Sequence, residues 1–566
     1  MTATINLNSE AVVLPMNQQQ PKYQPSDEVD FVIVGSGAAG GVIAKELSAA
    51  GFRIVVLEQG PYLKEEDFAH DELKNVYQEA LTNNHKQQPN TFRSRPSQKA
   101  RLQPAVGYGR VVGGGTVHFT GNYWRFHEID FIERSKLGAI AGTGFADWPI
   151  TYQELEPYYT KVEWEVGVSG QAGANPFDPP RSRAYPVPPL PIKSSGVLLE
   201  RAARKLGMHA APAPMAILSK PHNGRNGCVH CGFCEYYGCE IGAKSSTLAS
   251  VIRVAEASGR CEIRPLSYGR KIEVDKNGRA VGVIYFDDKK QEILQRAKAV
   301  VVCANGAETP RLLLMSKSNR FPQGLANSSG LVGRYLMFNS GGFAGSMFEQ
   351  PLNEFKSVVV SRIVHDFYNT DPKRGFYGGG GIDFRFDLQP ITFALLGLPL
   401  DAPQWGRDYK TMLKEYYTRT VYMLAHATSL PVATNSITLD DQVKDAWGLP
   451  ALRVTYKDHP DDIKISKFML ARGLDLLNAA GAKKTWSYPV GEQSFAVHLL
   501  GTCRMGNDPR HSVINRDHRA HDVPNLFICD GSSFVTSGRG QPTCTIQALA
   551  FRAADRITHL ARAGEI

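Results

Sequence analysis

The chain lacks any apolar run near the ~20 residues needed to cross a bilayer, so no segment of its own reads as a transmembrane helix. It lacks blocks of like charge as well. A net charge of +9 over 566 residues is too dilute to argue for nucleic acid. The densest basic stretch, Arg93-Ser-Arg-Pro-Ser-Gln-Lys-Ala-Arg101, reads as a solvated loop. No internal repeat is visible. Residues 1–28 are polar and Gln-rich, with neither a charged-then-apolar signal nor a twin Arg. A flexible tail and a cytoplasmic chain are expected, unless a signal-bearing partner carries it to the periplasm. Cysteine is sparse at nine residues, yet four fall between Cys228 and Cys239.

The strongest pattern present is Asp30-Phe-Val-Ile-Val-Gly-Ser-Gly-Ala-Ala-Gly-Gly41, followed by a helix-like run and Arg53-Ile-Val-Val-Leu-Glu58. Gly35, Gly37 and Gly40 satisfy G-x-G-x-x-G after a strand and before a helix. One Gly turns the chain, one lets the backbone approach a pyrophosphate, and one lets helix and strand pack closely. The helix start favours phosphate, and Glu58 ends the next strand where it can accept hydrogen bonds from a ribose diol. This is a dinucleotide site, with NAD the default ligand on these residues alone. A chain of this length is expected to hold more than one lobe.

Further on, Gly107-Tyr-Gly-Arg110-Val-Val-Gly113-Gly114-Gly-Thr116-Val-His118-Phe-Thr120 brings three consecutive glycines, which let backbone lie against a planar ligand. This segment, with the earlier Gly turn, resembles the glucose–methanol–choline (GMC) oxidoreductases. The resemblance implies FAD rather than NAD, with Arg110, Gly113, Gly114 and Thr116 on the cofactor. The Val117-His118-Phe119-Thr120 variant is similar to the pyranose-oxidase branch, where a His is joined covalently to the flavin. His118 is thus a candidate link, or else a His packed beside the isoalloxazine.

Thr151, with Glu154 three residues on, caps an expected helix over 152–166. A Pro-rich strap covers 170–191, and an amphipathic helix spans about 194–206. The run Cys228-Val-His-Cys231-Gly-Phe-Cys234-Glu-Tyr-Tyr-Gly-Cys239 has C-x2-C-x2-C-x4-C spacing. That spacing suits iron–sulfur ligands, while a zinc site or a disulfide pair with two free thiols stays open. Its surroundings resemble the flavoprotein subunits of gluconate 2-dehydrogenase-type sugar and sugar-acid dehydrogenases. That likeness implies a small subunit, a cytochrome c acceptor and, in some relatives, a cluster relaying electrons.

Strands are expected at 261–265, 271–274, 280–286 and 292–302, with a hairpin turn at Asp275-Lys-Asn-Gly278. Asn305 stands where the family usually has Gly. Residues 340–491 turn aromatic and strand-forming; Asn435–Asp440 and Trp447–Arg453 resemble part of an antiparallel sheet roofing the flavin. A long helix is expected over 464–480. His498 precedes a Gly-Thr turn, and Asn525-Leu-Phe-Ile-Cys-Asp530-Gly531 and Gly540-Gln541-Pro542-Thr543 follow in the family's order. The resemblance makes His498 the base that takes a substrate hydroxyl proton, a task a neutral imidazole performs near neutral pH. Asp530 and Gly531 would hold the ribityl or pyrophosphate. The helix start at Pro542 would face the flavin pyrimidine. Gln541 replaces the family's second His or Asn; it orients but cannot exchange a proton at neutral pH.

The expected architecture is a two-lobed α/β chain, an FAD-binding Rossmann-like GMC fold with an α+β, antiparallel-sheet substrate domain. Its parts are the tail 1–28, FAD-binding segments 29–125, 194–339 and 492–566, the cap and strap 126–193, and the substrate domain 340–491. The expected activity is FAD-dependent oxidation of a CH–OH group on a sugar, sugar acid or polyol. An oxidase forming hydrogen peroxide is the alternative within enzymes. A non-catalytic electron-transfer flavoprotein is the alternative outside them, against which His498 speaks.

Overall fold

The computed structural model describes residues 21–566; residues 1–20 of the expected tail lie outside the described residues. The strand Val29–Val34 is the axis of a seven-stranded sheet. It is apolar at nearly every position because it is covered on both faces, the usual state of a parallel strand. Ile54–Leu57 pairs with it in parallel on one side and Glu292–Val302 on the other. Cys261–Arg264 and Leu526–Ile528 add further parallel neighbours.

Glu292–Val302 belongs to two environments. Its first half pairs antiparallel with Ala280–Phe286, which pairs in turn with Tyr268–Val274. Its second half enters the parallel sheet. The sequence changes to match: Glu292–Lys298 keeps exposed charges, whereas Val300-Val-Val302 is wholly buried.

A second, six-stranded antiparallel sheet runs in the order Lys484–Ser487, Ser340–Met347, Thr420–Ala427, Gly380–Arg385, Val360–Val364, Ala210–Pro212. The helix Pro460–Ala479 packs on its Ser340–Met347 and Thr420–Ala427 strands. This helix starts four residues before the expected Lys464. His459 caps it: its Nδ1 accepts from the Asp461 N–H at 3.1 Å, and the Asp462 carboxylate accepts from the His459 N–H at 3.0 Å. The charged first turn reads as loop by hydrophobicity alone, although Pro460 at its first position is an N-terminal signature.

The hairpin Ser436–Lys444 and Pro450–Thr455 corrects another expectation. It is not part of the large antiparallel sheet. Pro450–Thr455 pairs in parallel with Asn90–Arg93, which pairs with Arg101–Leu102 in a separate four-stranded sheet. The Arg93–Arg101 stretch is the largely exposed loop joining these last two strands, as expected of a solvated loop. Alternation in sequence marks a strand but does not name its neighbour across hundreds of residues.

Among the described residues no helix is long and apolar enough to cross a membrane. The helix Thr543–Arg562 closes the first lobe, packing on Gly40–Ala49 and Tyr152–Val162.

Candidate active site

The turn after Val29–Val34 builds the first wall. Gly35 has φ +94°, and a Cβ there would lie 2.5 Å from the Cys303 carbonyl oxygen; one on Gly40 would lie 1.8 Å from the Gly35 carbonyl oxygen. Only glycine fits. A Cβ on Gly114, at φ +55°, would come within 2.8 Å of Gly37 Cα. Two Gly loops thus meet backbone to backbone and leave a cradle any side chain would fill.

Glu58 ties this turn together. Its Oε2 accepts from the Ser36 N–H at 3.0 Å and hydroxyl at 2.7 Å, and its Oε1 accepts from the Gly60 N–H at 2.9 Å. Burial raises its pKa, while these donors favour the carboxylate. Three of roughly four acceptor positions are used, so one remains for a diol.

A cavity of about 490 Å³ holds most of the residues singled out in the sequence. Gly35, Gly37, Glu58, Gly114, Thr116, His118, His498, Asp530, Gly531, Gln541 and Pro542 all line it. Gly40, Gly113 and Arg110 stand behind it. Gly40 packs helix on strand. The Gly113 N–H donates to Ser36 Oγ at 3.0 Å and its carbonyl accepts from Thr116 Oγ1 at 2.6 Å. Arg110 Nη1 donates to Gln87 at 2.7 Å and its guanidinium lies over Trp447, while its buried Nε has no partner among the described residues.

Asn305, in place of the family's Gly, has φ +71°. Asn tolerates that region, and its Oδ1 accepts from the N–H groups of Ala307 and Glu308, capping the next helix. Asp530 accepts from Thr309 Oγ1 at 2.6 Å and the Ser532 N–H at 2.7 Å. The start of the helix Thr543–Arg562 borders the same cavity.

Three polar groups face the chemistry. His118 Nε2 is buried and has no hydrogen-bond partner among the described residues. Burial, then Lys244, lowers its pKa to about 4. His498 is shared with a second cavity of about 370 Å³, walled by the antiparallel sheet at Ser340–Phe343 and Leu424–His426. Its Nδ1 lies 3.2 Å from Asn339 Oδ1. The Asn339 amide is oriented, because its Nδ2 donates to the carbonyls of Ala427 and Ser537. Oδ1 must therefore accept from a protonated Nδ1, which leaves Nε2 of His498 with a free lone pair. Burial, then the nearby His426, lowers the His498 pKa to about 4, so the imidazole is neutral at neutral pH.

Gln541 meets His426 from the strand Thr420–Ala427, its Nε2 being 3.2 Å from Nδ1 and 3.4 Å from Nε2. His426 Nε2 lies 2.8 Å from Asp383 Oδ2. Arg385 donates to both Asp383 oxygens, at 2.7 and 2.8 Å, and Asn122 Nδ2 donates at 3.2 Å. Burial would raise the Asp383 pKa, but Arg385 and His426 hold it well below the carboxylate range. Sequence reasoning missed Asn339, His426, Asp383 and Arg385 as site residues. Asp383, His426 and Arg385 sit in ordinary strand patterns and carry no motif.

The four clustered cysteines are free thiols. Burial raises Cys234 to about 12 and Cys228 to about 11, and neighbouring thiols of the run add to both shifts. Among the described residues no three of these sulfurs come within reach of one metal ion, which corrects the zinc alternative; nor does any pair form a disulfide. The loop touches the large cavity, which Glu235 and Tyr236 line. The Tyr236 N–H donates to the His118 carbonyl at 2.8 Å.

His127, Asp178 and His365 do lie within 4.8 Å of one another. Asn175 Nδ2, oriented by the Phe177 N–H on its Oδ1, donates to both His365 Nδ1 and Asp178 Oδ1, and so ties the strap to the sheet.

The family model of GMC oxidoreductases matches residues 29–337, and the model of the family's second part matches residues 431–550. The chain belongs to the GMC oxidoreductase family. It is an FAD-binding oxidoreductase of CH–OH donors. It is 35% identical over 547 residues to 2-methyl-1,2-propanediol dehydrogenase of Mycolicibacterium austroafricanum, covering 94% of this chain and 96% of the relative. The gluconate 2-dehydrogenase flavoprotein of Pantoea cypripedii is 29% identical, with 94% and 93% covered. Among solved structures, formate oxidase of Aspergillus oryzae matches with a TM-score of 0.67 at 14% identity, covering 96% of this chain and all of that one. The Gly cradle, the free lone pair on His498 and the unpartnered His118 Nε2 suit FAD in the large cavity.

Proposed function

We propose that this GMC oxidoreductase is a dehydrogenase of a small sugar, sugar acid or polyol, with His498 as its proton acceptor. The observation that carries the reading is the Asn339–His498 hydrogen bond, which aims a basic nitrogen with no other partner at the junction of two cavities. Bound FAD supplies the hydride acceptor. Gly35, Gly37 and the start of the helix Gly40–Ala49 would hold its pyrophosphate, Glu58 its adenosine ribose, and Asp530 with Gly531 the ribityl side. The helix that begins at Thr543 borders the same cavity and would turn its positive end to the flavin pyrimidine, favouring the charge gained on reduction. His498 Nε2 takes the hydroxyl proton as the C–H bond gives up its hydride. Relatives named for a diol and for gluconate support hydroxyl oxidation.

His118 lines the cavity with a free Nε2 and would lie beside the flavin ring, the attachment point if the flavin is covalent; acid-precipitated protein that keeps its yellow chromophore would establish the bond. The cysteine loop touches the cavity through Glu235 and Tyr236, which favours electron exit along it to a partner cytochrome c. A polynuclear iron–sulfur cluster does not require its thiolates around one ion, and iron and acid-labile sulfide in anaerobically purified protein are its test. The deciding experiment for function is anaerobic bleaching of the flavin across sugars, sugar acids, polyols and simple alcohols. Oxygen uptake without an added acceptor would instead favour an oxidase. Full substrate-driven bleaching in His498→Ala would sink the assignment of the base.

A further inference from the structure

We propose that His426, held by Asp383, is a positioning residue that turns Gln541 so that the site offers substrate two acceptors, His498 Nε2 and Gln541 Oε1. Such a site selects a substrate with a second donor hydroxyl beside the one oxidised, the vicinal diol being the smallest. The proposal rests on the hydroxyl-oxidising reading of this cavity and goes beyond it.

The chain of reasoning is one of protons. Asp383 accepts two hydrogen bonds from Arg385, one from Asn122 and one from His426. Arg385 Nη2 also lies 3.2 Å from His426 Nε2, but the ionised Asp383 oxygen is nearer at 2.8 Å and can only accept, and the guanidinium is already spent on both Asp383 oxygens, so the His426 proton lies on Nε2. Nδ1 and the ring face of His426 are then electron-rich. The Gln541 amide nitrogen is nearly equidistant from both ring nitrogens, which places an N–H over that face. A carbonyl oxygen there would meet like charge. The amide is therefore turned with Nε2 to His426, and Oε1 is the end left for the cavity that Gln541 lines.

The imidazole cannot swing away to release this arrangement. Trp124 packs edge-on at 5.2 Å between centroids, and Gly540 lies so close that a Cβ on it would stand 2.5 Å from His426 Cβ. Its Nε2 is fixed by Asp383. On the other side of the cavity, Asn339 keeps His498 Nε2 free of a proton. Neither of the two atoms turned to the substrate, His498 Nε2 and Gln541 Oε1, can donate. A monohydric alcohol has one O–H for two acceptors and leaves one of them buried without a partner, the situation that gives hydrogen-bonding sites their strongest discrimination.

The test uses FAD-loaded full-length protein under anaerobic conditions. Each hydroxyl compound that bleaches the flavin is paired with its deoxy analogue lacking the neighbouring hydroxyl; propane-1,2-diol and propan-1-ol are the smallest pair. The wild type should favour the diol by about 100-fold or more in second-order reduction rate. His426→Phe should pull that ratio towards unity. Adding Gln541→Glu to His426→Phe should restore the preference, because a carboxylate only accepts. Gln541→Met, which removes the acceptor at similar volume, should abolish it without touching His426. Equal rates for diol and deoxy analogue in the wild type, or an unchanged ratio in His426→Phe or Gln541→Met, would overturn the proposal while hydroxyl oxidation stands. No bleaching by any hydroxyl compound would overturn both.

Discussion

Asn339 Oδ1 accepts the Nδ1 proton of His498 at 3.2 Å, and two backbone carbonyls hold the Asn339 amide in the only orientation that permits it. The tautomer of the base is thus set by a residue outside the C-terminal motif block. Asn339→Leu should keep the cavity and the flavin but lower the rate of substrate-driven flavin reduction by about 10- to 100-fold, the worth of one lost buried hydrogen bond. His498→Ala should lower it by about 100- to 10,000-fold. Stopped-flow bleaching with matched FAD content separates the two. Equal rates in Asn339→Leu and wild type would remove Asn339 from the mechanism.

The rate of flavin reduction should depend on pH through His498. Burial and His426 lower its pKa to about 4, so the base is competent above that value and is lost as it protonates below. An acid limb near pH 4, rather than near the ordinary 6.5, is expected in the reduction rate, and His498→Ala should lack it.

Stability should fall on acidification for a related reason. His118, His498 and His518 are each lowered to about 4 by burial. Between about pH 6.5 and 4 the unfolded chain binds protons that the folded chain refuses, so stability falls as pH falls through that window and levels off below it. For these three groups the summed loss across the window is on the order of 10 kcal/mol. Urea midpoints at pH 7.5 and 5 measure it; a midpoint that rises at pH 5 contradicts the argument.

Gly114→Ala should cost the cofactor before it costs the fold. Its Cβ would stand 2.8 Å from Gly37 Cα, at a backbone angle glycine prefers. The purified variant should carry far less FAD per chain than wild type by absorbance, with a far-ultraviolet circular dichroism spectrum close to native.

Arg539 lies fully buried between Asp130 and Glu133, one residue before Gly540 and the Gln541 loop. Arg539→Met leaves two carboxylates without their cation, a loss of about 3–5 kcal/mol. Unpaired buried carboxyls have raised pKa values, so the deficit should grow as pH rises above about 4.5. Denaturant midpoints at pH 5 and 8 would show this; equal deficits at both would mean the carboxylates find other partners.

The first lobe was readable because its signals are local. Gly35, Gly37, Gly40 and Glu58 lie within one strand–helix–strand unit, and the alternation along 280–302 changes where the strand passes from surface to core. His498 and Gln541 were legible through their order beside Asp530. Asn339, Asp383 and His426 were not. A lone polar residue in a strand has the same look whether it faces solvent or a cavity, and their pairing joins segments far apart in sequence. The hairpin 436–455 failed for the same reason: its partner, Asn90–Arg93, lies far upstream.

Leu526–Ile528 completes the parallel sheet beside Val300–Val302, and the loop that follows it supplies Asp530, Gly531 and Gln541 to the large cavity. These residues leave the ribosome long after the glycine turn that anchors the other end of the same ligand. The cavity is therefore a clam whose lower shell is made early and whose upper shell arrives near the end of synthesis. The helix Thr543–Arg562, whose start borders that cavity, packs on Gly40–Ala49, so contact between elements from opposite ends of the chain holds the two shells together.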